Sequence, residues 1–231
     1  MPVREADASG QGGRQGTGED TFRSASGGAH AASGVNILIV ANAAPELGSL
    51  WQRLCELPAN QVGEIVDGEL HASPRPAAAH SRAASRLGSQ LDGPFDRGAG
   101  GPGGWIILDE PELHLAGDVL VPDLAGWRRE RLPFLGEDIV AFELAPDWIC
   151  EVLSPSTSSL DRVRKMPVYA REGVRWAWLL DPIQRTLEAF ELQDGRWQVV
   201  QTWEGGAKVR AVPFDSVELD LNNLWADVRK R

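Results

Sequence analysis

Trp148-Ile149-Cys150-Glu151-Val152-Leu153 is a run that is apolar on both alternating faces except for one carboxylate. A strand of this kind belongs at the centre of a sheet that is covered on both sides. Glu151 then sits where an ionised carboxylate is costly unless a cation, a metal or hydrogen-bond donors compensate it. The fold must therefore supply layers on both faces of a sheet and something to balance a buried acid. With 231 residues the chain is long enough for one sizeable core.

Local signals fill in those layers. Leu50, Trp51, Leu54 and Leu57 fit one helical face that Pro58 ends, and Ala78 to Leu91 reads as a second helix with Ala83, Ala84, Leu87 and Leu91 inward. Asp67-Gly68 between Gly63–Val66 and Glu69–Ala72, and Asp194-Gly195 between Leu187–Leu192 and Arg196–Thr202, predict two hairpins. Trp105–Leu108, Glu112–Leu115, Asp118–Val121, Trp176–Asp181 and Val217–Leu221 read as further strands, with a short helix after the last. The Ser/Pro-rich turn 154–159 caps a helix from Leu160 to Glu172 that Gly173 stops and Pro167 kinks. The pattern predicts an α+β fold with an α/β-type core, a mixed β-sheet flanked by helices.

Residues 1–45 form a separate region: Gly, Ser and Ala dominate, and such a segment cannot offset its ordering entropy, so it reads as a disordered tail before one domain over 46–231. Val35–Val40 followed by Ala41-Asn42-Ala43 imitates a signal peptide. The leader before it, however, is long and carries Glu5, Asp7, Glu19 and Asp20 instead of a short basic region. A cytoplasmic protein is the expectation. No apolar run approaches the roughly 20 residues that cross a bilayer. Two cysteines, Cys55 and Cys150, are too few for a disulfide framework or a cysteine-based zinc site. A net charge of −10 argues against non-specific adhesion to nucleic acid. The Gly-rich run 98–104 lacks the Lys-Ser/Thr ending of a phosphate-binding loop.

Candidate chemistry gathers around the central strand. Asp123 follows the apolar run Val119-Leu120-Val121 and Pro122. Two acids at the ends of neighbouring strands can converge on a hard divalent cation, with the Val152 carbonyl as a third oxygen. Lys165 is one of only three lysines, and it lies four residues after Asp161 on one helical face. The functional reading is a point charge aimed at a phosphate or a water; the plain alternative is an exposed ion pair worth at most about 0.5 kcal/mol. Glu64 and His80 are further candidates. Ser154 and Ser156 with His80 suggest a serine hydrolase, but no G-x-S-x-G elbow supports it. Trp127, beside Arg128-Arg129, is a candidate for stacking on a nucleobase.

The ordered segments EIVDGEL, SPRPAAAH, VPD, PDWICEVLSPSTSSLDRVRK and PVYAREGVRWAWLLDP resemble the Uma-two family of endonucleases, part of the restriction-endonuclease-like PD-(D/E)XK superfamily. The resemblance runs from about Trp51 to Leu224. It implies a metal-dependent phosphodiesterase in which Asp123 matches the first metal acid and Glu151 the acid of the E-x-K element. Position 153 is Leu where that element usually has lysine, and Lys165 resembles a replacement that has migrated to the following helix. Glu64 and His80 match a recurring N-terminal acid and histidine.

The expected function is therefore an endonuclease hydrolysing phosphodiester bonds of nucleic acid, DNA first. Mg²⁺, or Mn²⁺ in its place, would be held by Asp123, Glu151 and the Val152 carbonyl, with Lys165, Glu64 and His80 as catalytic residues. The resemblance also implies a homodimer. The alternative is a catalytically inactive nuclease-fold module that acts in binding or regulation, which the acidic charge favours.

Overall fold

The computed structural model describes residues 48–228. The tail expected over 1–45, with its apolar stretch Val35–Val40, lies outside the described residues. The chain runs α1 (Gly48–Cys55), β1 (Gln61–Val66), β2 (Glu69–Pro74), α2 (Ala78–Leu91), β3 (Trp105–Asp109), β4 (Leu113–Leu115), β5 (Asp118–Leu120) and β6 (Leu124–Arg128). There follow β7 (Trp148–Val152), α3 (Met166–Arg171), β8 (Trp176–Asp181), β9 (Thr186–Gln193), β10 (Arg196–Glu204), β11 (Lys208–Val209), β12 (Leu219–Asp220) and α4 (Leu221–Leu224). Both Asp-Gly hairpins form, and Asp67 and Asp194 adopt the positive φ that such turns require.

A six-stranded sheet in the order β10-β9-β8-β7-β6-β3 forms the centre. Among the described residues its only parallel pair is β7–β8, so the sheet is mixed. All five residues of β7 are buried, as the apolar run requires. The pleat sends Trp148, Cys150 and Val152 towards α2 and sends Ile149 and Glu151 the other way. On the α2 side, Ala83, Leu87 and Leu91 pack in one cluster with Trp105, Trp148, Trp178 and Phe214. On the other side, Trp127, Ile149, Tyr169, Ala177 and Leu179 pack with Leu113 and Leu120 of a second, antiparallel sheet ordered β2-β1-β5-β4. Glu151 therefore points into the layer between the two sheets.

Three features differ from the sequence reading. Asp123 does not merely end the strand before it: it leads into β6, a strand the sequence did not reveal, whose first four residues are buried. Gly126 sits in the middle of β6 because a Cβ there would lie 3.2 Å from the rings of both Trp105 and Trp148. The expected helix 160–172 is divided: residues 160–165 form a π-helical segment, and α3 continues from Met166 with Pro167 in its first turn. The backbone stays helical through both segments, and Pro167 comes just after the widened π-helical turn. The strand expected over Val217–Leu221 shortens to β12, with Leu221 opening α4.

Candidate active site

The crossover from β7 to β8 brings the π-helical segment and α3 over the face that carries Glu151. Arginines fasten this crossover to the smaller sheet. Arg171 bridges to Asp118 and, at 3.3 Å, to Asp67, while Arg164 meets Glu69 at 2.9 Å. Asp118 also accepts a 2.6 Å hydrogen bond from the Asp67 amide, so the β1–β2 turn, β5 and α3 are locked together. This clamp fixes how far Lys165 stands from β1.

Lys165 is only 2% exposed, and its ammonium lies 2.8 Å from Oε1 of Glu64 on β1 and 2.8 Å from Oε1 of Glu151 on β7. Asp161 is a further counter-charge at 3.6 Å. The plain alternative of an exposed ion pair is thereby excluded. Glu64 Oε1 also accepts a 2.8 Å hydrogen bond from the Val121 amide, and Tyr169 Oη donates one of 2.6 Å to Glu151 Oε1. Asp123 Oδ2 accepts a 2.7 Å bond from the Val152 amide, next to Glu151 in sequence. Its other oxygen is 3.2 Å from His80 Nε2, which α2 presents from its first turn. The structure thus gathers Glu64, His80, Asp123, Glu151, Asp161 and Lys165 along one open cleft.

The electrostatics follow from burial and from an excess of acids over cations. Burial pushes the Glu151 carboxyl well up; Lys165 opposes this, while Asp161, Asp123 and Glu64 add to it. Burial likewise raises Asp161 against the pull of Lys165. Burial would lower Lys165, but Glu151 and Glu64 outweigh it and hold the ammonium protonated well beyond the usual lysine range. For His80, burial lowers the imidazole's affinity for a proton; the hydrogen bond and charge of Asp123, with Asp161 and the Val152 backbone, turn the balance upward.

Whether a divalent cation suits this cleft can be judged from that balance. Among the described residues, no three His, Cys, Asp or Glu side chains converge as a metal cluster. What the cleft offers is two carboxylates, Asp123 and Glu151, oxygen donors of the kind hard cations prefer. Both carboxylates already face a basic group, His80 at 3.2 Å from Asp123 and Lys165 at 2.8 Å from Glu151. The donor set fits a hard divalent ion.

Two other sequence suggestions do not hold. Trp127 is fully buried and donates to the Leu144 carbonyl at 2.9 Å, so it cannot stack on a base; strand alternation turned it inward while Arg128 covers Trp105. Ser154 Oγ is engaged with Ser156 and Thr157, as a turn cap and not as a partner of His80. Tyr169 was the residue missed. Two signals could have found it: it is the chain's single tyrosine, and it follows Lys165 by four residues, so Asp161, Lys165 and Tyr169 succeed one another on one helical face.

A mixed sheet flanked by helices, with acids and a buried lysine meeting over its parallel pair, defines a protein of the restriction-endonuclease-like class. One solved structure similar to this chain is a "putative nuclease belonging to DUF820" from Anabaena variabilis; it is 23% identical, the match covers 76% of this chain and 96% of that one, and the TM-score is 0.59. That likeness speaks for the fold. No curated protein matches the chain. Residues 51–222 match the model of the Uma2 family, described as "Putative restriction endonuclease". The chain belongs to the Uma2 family, a nuclease family. Among the described residues no helix is long and apolar enough to cross a membrane.

Proposed function

We propose that the protein is a metal-dependent endonuclease that hydrolyses phosphodiester bonds of DNA, as a restriction-type family description suggests. The single observation that carries this reading is the buried Lys165 ammonium held 2.8 Å from both Glu64 and Glu151, in the cleft that also contains Asp123. Asp123, Glu151 and the Val152 carbonyl would hold Mg²⁺ or Mn²⁺. When bound, the ion supplies polarisation of the scissile phosphate and a water of lowered pKa. Lys165 provides a fixed positive charge for the negative charge that develops on the phosphate. Glu64 anchors Lys165 and, lining the cleft, accepts a proton from the attacking water. His80 keeps the Asp123 carboxylate oriented through its 3.2 Å contact. Cutting both strands of a duplex is served by two such clefts, so the reading includes a homodimer, acting in the cytoplasm.

The test is cleavage of single-stranded DNA, duplex DNA and RNA with Mg²⁺ or Mn²⁺, beside Lys165→Ala. Metal-dependent cutting that the variant loses supports the proposal. Binding without cutting under every metal condition favours an inactive nuclease-fold module, the reading to which a net charge of −10 lends weight.

A further inference from the structure

A second, larger depression lies beside the catalytic cleft, and the first turn of α2 separates the two. Pro76 and His80 face the cleft, whereas Ala77 to Ala79 and Arg82 face the neighbouring groove. The opposite wall of the groove is the β8–β9 turn, with Ile183, Gln184 and Arg185. Because β7 and β8 are parallel, this turn emerges at the same end of the sheet as Glu151. The groove and the cleft therefore lie at the same end of the sheet, on either side of the first turn of α2.

Two guanidinium groups lie in this groove, and the C-terminal segment occupies both. Arg82 forms an ion pair with the Asp227 carboxylate and reaches the Ala226 carbonyl at 3.5 Å. Arg185 donates to the Val228 carbonyl at 3.2 Å. One carboxylate and two carbonyls thus stand where an anionic ligand with acceptor oxygens would stand. The Asp227 side chain is 74% exposed, so a competing anion can reach and displace it. In a chain of net charge −10, two arginines in a groove next to the candidate active site are a local reversal of sign.

Resting on the nuclease reading, we infer that this groove binds the phosphodiester backbone of the DNA strand leaving the cleft, with Arg82 and Arg185 as phosphate contacts. Asp227 occupies the Arg82 position in the free protein and yields it to phosphate. Such contacts set position and affinity and carry no sequence preference.

The test measures binding of a fluorescent 20-nucleotide single strand and its duplex by anisotropy, with the full-length chain in EDTA so that nothing is cut. Arg82→Gln and Arg185→Gln should each weaken single-strand binding several-fold and reduce the slope of log K against log salt by about 0.7. Asp227→Asn should tighten binding several-fold, a gain that a misfolded variant cannot produce. Asp194→Asn, in the distant β9–β10 turn, is the control for net charge and should change little. In an Arg82→Gln background, Asp227→Asn should behave no differently from the control. If Asp227→Asn matches Asp194→Asn in the native background, or if both arginine variants bind like wild type, the groove is not the strand's path. That result leaves the nuclease reading standing so long as wild type binds and, with metal restored, cuts. If wild type neither binds nor cuts any strand, the nuclease reading fails and takes this inference with it.

Discussion

The Tyr169 hydroxyl donates a 2.6 Å hydrogen bond to the same Glu151 oxygen that receives the Lys165 ammonium. Tyr169 is itself fully buried. A carboxylate tied in this way has one rotamer, and its second oxygen is left for other work. Tyr169 is thus a positioning residue for Glu151.

Removing only that hydroxyl tests the role. Tyr169→Phe should cost about 1–2 kcal/mol of stability, the worth of a charge-assisted hydrogen bond. Cleavage should fall by about 10–100-fold, as when a residue supporting a metal ligand is lost, with the metal concentration for half-maximal rate shifted upward. Thermal melts and a metal titration of the rate check both. A variant with unchanged metal dependence would confine Tyr169 to packing.

Lys165→Ala leaves three carboxylates without their shared ammonium. The expected loss is about 3–5 kcal/mol, the range for breaking a buried ion pair by removing one partner. Because the vacated space is lined by acids, Mg²⁺ should raise the melting temperature of this variant more than that of wild type, while cleavage stays lost. An equal Mg²⁺ effect on both would separate Lys165 from the cation site.

The metal-free protein should lose stability as pH rises through the neutral range. Glu151 and Asp161 are raised by burial from ordinary values of 4.5 and 3.8, so the folded state holds their protons more tightly than the unfolded chain does. His80 is raised from 6.5, because Asp123 overcomes the opposing effect of burial. For a raised group the contribution is complete below the unfolded value and disappears as pH climbs through the folded one. Melting in EDTA between pH 5 and 8 should show this decline, and Glu151→Gln should flatten it. A melting temperature that rises over that window would contradict the assigned directions.

Gly126→Ala probes the sheet instead of the site. A methyl group at 3.2 Å from Trp105 and Trp148 forces both rings to move. Overpacking of this kind costs about 1–3 kcal/mol, measurable by denaturant unfolding.

What was legible in the sequence follows from how locally each feature is encoded. The two Asp-Gly hairpins, the stop at Gly173 and the apolar run of β7 carry their signals within a few residues. β6 does not: Leu124-Ala125-Gly126-Trp127-Arg128 begins after Pro-Asp and contains glycine, so it reads as a turn. Its need for glycine arises only from the tryptophans of β3 and β7 pressing on it. The π-helical turn at 160–165 is similarly silent, since one extra residue per turn leaves no compositional mark. The site residues could be picked out singly as acids or a lysine in unusual surroundings. That Glu64 and Glu151 share one ammonium depends on how the two sheets stack.

The outer edge of the large sheet has one irregularity with a consequence for the protein in a crowded solution. Among the described residues β10 pairs with β9 on one side only, and its register shifts between Val199 and Gln201, leaving Val200 as an extra residue. Val199 and Val200 are about half exposed. A straight strand presenting adjacent valines along an open edge would template the addition of strands from other molecules. The bulge bends that edge and breaks the even spacing of its free amides and carbonyls. The same irregularity lets Trp197 pack into one face of the sheet and Trp203 into the other, so this edge strand is held down on both sides.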